Sequence, residues 1–126
     1  MAVAKDCRYT QTHEWFRVSG KTVTIGITKF AADELTDITY VSLPAVGKKI
    51  EAGKSFGEVE SVKATSDLYS AVAGTVIETN AKLADHPELV NTDAQGEGWM
   101  VKLEVADTSP LDKLMDASAY EKMIAG

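Results

Sequence analysis

Apolar and polar residues alternate across 21–28, with Val23, Ile25 and Ile27 on one face and Thr22, Thr24 and Thr28 on the other; Gly26 alone breaks the polar side. A period of two over this length predicts a half-buried strand. The alternation returns at 99–105, where Trp99, Val101, Leu103 and Val105 are expected to face inward. Between them lie further extended runs at 38–43, 48–53, 55–62 and 75–80, and one that follows Lys63 and ends at Tyr69, punctuated by Pro44, Gly47, Gly53 and Gly74. Thr28 is placed to cap a short helix over about 29–36 with Phe30 and Leu35 as its apolar contacts. The polar stretch 81–98, with Pro87, Gly96 and Gly98, reads as a loop holding one or two helical turns. At the end, Ser109-Pro110-Leu111-Asp112 supplies a cap, a proline for the first turn and an acid, and Asp116 caps a second helix carrying Tyr120, Met123 and Ile124. The whole predicts a mainly β fold, a flattened barrel or sandwich of short strands with a few peripheral short helices, the C-terminal ones included. No low-complexity linker divides it, so 1–126 is expected to be one domain.

Composition narrows the partners. The chain of 126 residues is 44% hydrophobic and 25% charged, as globular domains are, and has a net charge of −6. No basic patch stands out to neutralise phosphates, which argues against nucleic acid and anionic membranes and suits a monomer that meets larger proteins without self-association. The single cysteine, Cys7, allows no internal disulfide and points to a reducing compartment. The N-terminal stretch carries neither a secretory nor an organellar leader pattern. A bacterial cytoplasm is expected, or a mitochondrial matrix for a processed eukaryotic form. Catalytic chemistry is thinly represented. His13 and His86 are the two histidines, and no nucleophile elbow, zinc-binding pair or phosphate loop accompanies them. The expectation is a protein with no enzymatic activity and no metal.

Lys63 stands between two β-prone runs, flanked by Glu58, Glu60 and Asp67, with Val62 as its one sizeable apolar neighbour. A lysine at a hairpin tip is commonly just solvated surface. It is also a sound place for a covalent tether, because the two strands hold the attachment point still while an arm moves. The neighbouring residues decide between these readings. Glu60-Ser61-Val62-Lys63-Ala64 followed by Ser66-Asp67, with Gly74 beyond, resembles the lipoylation segment of the glycine cleavage system H proteins. Further motifs of that family are matched by Thr12-His13-Glu14-Trp15, by Gly26-Ile27-Thr28 with Phe30-Ala31, by Val41-Ser42-Leu43-Pro44, by Leu89-Val90-Asn91 and by Gly96-Glu97-Gly98-Trp99. Ser42, Ala71, Ala73 and Thr36 depart from it, standing where the family usually has Glu, Pro, Ser and Gly.

The resemblance implies lipoate in amide linkage to Lys63 and a barrel-sandwich hybrid fold like that of lipoyl domains. It also implies service to three enzymes: a pyridoxal-phosphate glycine decarboxylase, a tetrahydrofolate-dependent aminomethyltransferase and dihydrolipoamide dehydrogenase. Lipoylating enzymes would be further partners, and the alternative role is that of a lipoate donor or relay. Family members shelter the loaded arm in a cleft. The matching position here is Glu14, which reads equally as a surface acid beside a buried Trp15, with Asp67 and Thr12 as further candidates. A biotin domain would show Met on both sides of its lysine, where Val62 and Ala64 stand; a lipoyl domain of a 2-oxo acid dehydrogenase would usually show Asp-Lys-Ala and an Ala/Pro-rich linker, and here Val62 replaces the Asp and the linker is missing.

Overall fold

From residue 22 onward the elements of the computed structural model, which describes residues 4–125, follow the alternation closely. Residues 1–3, where the stretch read for a leader begins, and residue 126 lie outside it. In chain order the strands are β1 (Cys7–Tyr9), β2 (Glu14–Ser19), β3 (Thr22–Ile27), β4 (Ile38–Ser42), β5 (Lys49–Ile50), β6 (Ser55–Ser61), β7 (Thr65–Tyr69), β8 (Gly74–Thr79) and β9 (Val101–Glu104). The helices are α1 (Lys29–Leu35), α2 (Lys82–Asp85), α3 (Leu89–Thr92) and α4 (Ala117–Ala125), with a 3-10 helix at Ser109–Lys113. The strands form two antiparallel sheets, one in the order β1-β2-β3-β9-β8-β5 and the other β4-β6-β7. The fold is mainly β with short peripheral helices, as the pattern predicts.

Val23, Ile25 and Ile27 of β3 are buried with Val101, Leu103 and Val105 in the main core, which also takes Val59 and Leu68 from the smaller sheet. Burying each such side chain contributes about 1.5–3 kcal/mol. Two of the three predicted caps form: the Thr28 hydroxyl accepts the Ala31 N–H at 3.2 Å, and Asp116 Oδ1 accepts the Ala119 N–H at 2.8 Å. Ser109 does not cap. It lies inside the 3-10 helix, and Asp107 Oδ1 accepts its N–H at 3.0 Å.

Strands β1 and β2 carry no periodic signal, for a physical reason. β2 lies between β1 and β3, and Glu14, Trp15 and Phe16 are all buried. Phe16 joins the main core, while Trp15 joins a second one with Cys7, Tyr9, Ala117 and Tyr120. A strand covered on both faces shows no alternation. The gap in β3 has the same origin: a Cβ at Gly26 would stand 2.8 Å from the Trp15 indole. The expectation for Trp99 is corrected. It precedes β9, is half-buried, and has the Lys102 ammonium 4.9 Å from its ring centroid, while Met100 beside it is fully buried.

Candidate functional site

Lys63 projects from the connection between β6 and β7, whose register runs from Ser55↔Tyr69 to Glu60↔Thr65. The tip is closed by local hydrogen bonds. The Ser61 N–H donates to the Ala64 carbonyl at 2.8 Å, and the Ser61 hydroxyl accepts the N–H groups of Lys63 at 3.1 Å and Ala64 at 3.0 Å. This is how a serine stabilises a tight turn. The base of the hairpin is equally constrained, because Gly57 runs against β4: a Cβ there would lie 2.2 Å from the Ser42 carbonyl oxygen. The result is a fixed backbone with free side chains. Lys63 is exposed and in no ion pair among the described residues, and Val62 is 70% exposed. The ammonium makes one contact, donating to the Glu34 carbonyl in the last turn of α1 at 3.0 Å. An amide N–H could make the same bond, so acylation at Nζ would leave nothing buried or unpaired. Lys63 therefore fits a covalently attached acyl arm.

Glu14 is the opposite case. It is 1% exposed, which overturns the surface-acid reading. Oε1 accepts the hydroxyls of Thr10, at 2.6 Å, and of Thr12, and Oε2 accepts the Tyr69 N–H at 3.2 Å, so the acid ties the loop before β2 to the end of β7. Burial pushes its carboxyl above the ordinary glutamate value, and the three donors only partly offset this. No cation pairs with it among the described residues.

Thr12 and Glu14 are thus brought together. Asp67 stands apart on the exposed side of β7, accepting the Tyr69 hydroxyl at 3.3 Å, and its charge is the main cause raising the Tyr69 phenol. Lys63 contacts none of the three directly. Thr10, which sequence reasoning did not single out, is a full member of the cluster; its signal was a hydroxyl four residues before an acid. A cleft of about 340 Å³ adjoins Thr10 and Thr12, between Tyr9 and Met115. Larger clefts elsewhere, near α4 and between β5, β8 and β9, contain none of these residues.

The loop bearing Thr12 and Glu14 is pinned from behind. His13 adopts a left-handed φ of 72°, and its Nδ1 is 2.8 Å from the Tyr120 hydroxyl, which is 2.7 Å from Thr28 Oγ1. Tyr120 stacks on Tyr9 at 4.6 Å. Burial lowers the His13 imidazole and raises the Tyr120 phenol, so both are neutral near pH 7. Burial also pushes the Cys7 thiol up to about 11, which leaves it unreactive.

The model of the family "Glycine cleavage H-protein" matches residues 7–126. A glycine cleavage system H protein of Carboxydothermus hydrogenoformans is 49% identical over 122 residues, 97% of this chain and 94% of that protein. One from Brevibacillus brevis is 51% identical over 124 residues, 98% of each. The crystal structure of a glycine cleavage system H protein from Mycobacterium marinum superposes with a TM-score of 0.89 at 34% identity, covering 98% of this chain and all of that one. With agreement in sequence and fold along almost its whole length, the chain belongs to the glycine cleavage H-protein family.

Proposed function

We propose that the chain, acting as one domain and as a monomer, is a carrier lipoylated on Lys63. It would take the aminomethyl group of glycine from glycine decarboxylase to aminomethyltransferase, and dihydrolipoamide dehydrogenase would return it to the oxidised form. One observation carries this reading: Lys63 is exposed on a backbone that its own turn holds rigid. When attached, lipoate supplies a dithiolane that accepts the aminomethyl group and is reoxidised from its dithiol form. The chain supplies the amine, a fixed pivot that turns each transfer into a local event, and shelter. It catalyses no step.

Glu14 is the proposed shelter. A buried carboxylate without a cation costs stability, and the amine of an aminomethyl group is a cation that would offset that cost. Thr10 and Thr12 fix the orientation of the acid, and Asp67 adds negative charge on the exposed side of β7. The acidic surface suits successive short encounters with larger proteins, and the compartment would be a bacterial cytoplasm, or a mitochondrial matrix for a processed eukaryotic form.

Reconstitution tests the reading. Lipoylated protein should support glycine–bicarbonate exchange by glycine decarboxylase, and Lys63→Arg, which keeps the charge but cannot form the amide, should reduce exchange to background. Exchange surviving that substitution would defeat the assignment. Glu14→Ala should hasten methylamine loss from the loaded protein, and an unchanged rate would remove Glu14 from the shelter.

A further inference from the structure

The Leu89-Val90-Asn91 motif plays no part in the function proposed above, yet its asparagine is bonded to the segment that supports Lys63. Two hydrogen bonds seat the tip on residues 34–38: Lys63 Nζ donates to the Glu34 carbonyl at 3.0 Å, and the Val62 N–H donates to the Asp37 carbonyl at 3.1 Å. This ledge is not inherently stable. It leaves α1, a helix of seven residues, through Thr36 at φ 65° and ψ −146°, a conformation open to glycine and strained for a β-branched residue. Asn91 holds it from across the fold. Its Nδ2 donates to the Thr36 carbonyl at 2.8 Å and reaches the Ala32 carbonyl at 3.5 Å, while its Oδ1 accepts the Ile38 N–H at 3.0 Å. One side-chain amide therefore fixes the end of α1, the strained residue and the start of β4. Val90, fully buried beside it, anchors α3 in the main core.

We propose that Asn91 is a positioning residue for Lys63: it fixes the ledge that orients the lysine amine for acyl attachment. The inference rests on the reading of Lys63 as the acyl acceptor. In that step the neutral Nζ attacks the carbonyl carbon of an activated lipoyl donor, such as a lipoyl adenylate. The N–C bond forms, the C–O bond to the phosphate breaks, AMP leaves with the electron pair, and the amine releases a proton to solvent. No oxidation or reduction occurs. The product amide keeps one N–H, enough for the Glu34 carbonyl, so the same ledge would aim the attached arm.

The test uses the full-length unmodified protein with an ATP-dependent lipoate ligase, lipoate and ATP, with initial rates taken over a range of acceptor concentrations. Asn91→Ala deletes the clamp. Asn91→Asp keeps the shape and the Ile38 bond but sets an acceptor against the Thr36 and Ala32 carbonyls. Both are expected to lower kcat about tenfold with KM held within about twofold, as for a docked but misaligned nucleophile. A merely structural role would move the other constant, because a smaller folded fraction dilutes the acceptor and raises apparent KM alone. Amide hydrogen exchange gives a second readout: Val62 should exchange about tenfold faster in Asn91→Asp, with Leu103 in the core unchanged. Unchanged kcat with unchanged Val62 exchange, or a rise in KM alone, would overturn the inference while leaving the carrier reading intact. Failure of the wild type to accept lipoate at Lys63 would overturn both.

Discussion

Lys63 and Glu14 are both tied to β7, one just before its first residue and the other at its last, and the fold treats them in opposite ways. Around Lys63 the backbone is fixed and the side chain is exposed, its ammonium making one hydrogen bond, to the Glu34 carbonyl. Ser61 locks the turn, the ledge at 34–38 supports it, and the ammonium stays in solvent. Around Glu14 the side chain itself is fixed, held by two hydroxyls and an N–H away from solvent and without a counter-ion. A free charge on a rigid base is what a tether needs, and a bound, uncompensated charge is what a receptor for a cation needs. The first costs the fold little. The second lowers stability, and a protein under selection for stability alone would have no use for it.

Substitutions should separate the two regions, the largest effect coming from the base of the hairpin. Gly57→Ala drives a methyl group into the Ser42 carbonyl and should cost about 3 kcal/mol in urea unfolding, breaking the β4–β6 pairing that carries the tip. A near-neutral result would mean the tip does not depend on that close approach. Tyr120→Phe removes the hydroxyl between His13 and Thr28 and should cost about 1–2 kcal/mol while leaving acceptance of lipoate at Lys63 unchanged. Impaired lipoylation in that variant would show that the two regions are coupled.

Glu14→Gln has an effect whose sign depends on pH. A carboxyl raised by burial holds more protons folded than unfolded, so the contribution of Glu14 to stability should be greatest below its ordinary value of 4.5 and fall as pH rises through the folded-state value. The glutamine variant lacks this loss and should be the more stable protein at pH 7, the gap closing at pH 4. Paired unfolding curves at the two pH values check this, and a wild type that gains stability relative to the glutamine variant as pH rises would contradict the proposed burial cost. The smallest effect belongs to Ser61→Ala, expected to cost about 0.5 kcal/mol at an exposed turn and to leave the hairpin formed. A loss several times larger, seen by the same unfolding curves, would mean the turn alone holds the tip.

The two regions also differ in how legible they were. The tip could be read directly, because its parts are neighbours in sequence: Ser61 two residues before Lys63, β-prone runs on either side, and Thr28 capping the helix that ends beneath it. The Glu14 region could be read only in part. β2 has both faces covered, so the alternation that revealed β3 is missing there, and Glu14 could pass for a surface acid. The contacts that define its surroundings span long stretches of chain: Tyr69 N–H to Glu14, Tyr120 to His13, and the Trp15 indole N–H to the Ala94 carbonyl at 3.0 Å. Asn91 is the same problem at the tip, since its three bonds reach back to residues 32–38. Trp99 was misplaced because alternation extrapolated past the end of β9 assigns faces to residues that are no longer in the strand.

The most direct test is mass spectrometry of the Lys63-containing peptide after the purified chain has been incubated with an ATP-dependent lipoate ligase, lipoate and ATP. The expected result is one lipoyl group, on Lys63 and on no other lysine. An unmodified Lys63, or lipoate spread over other surface lysines, would contradict it.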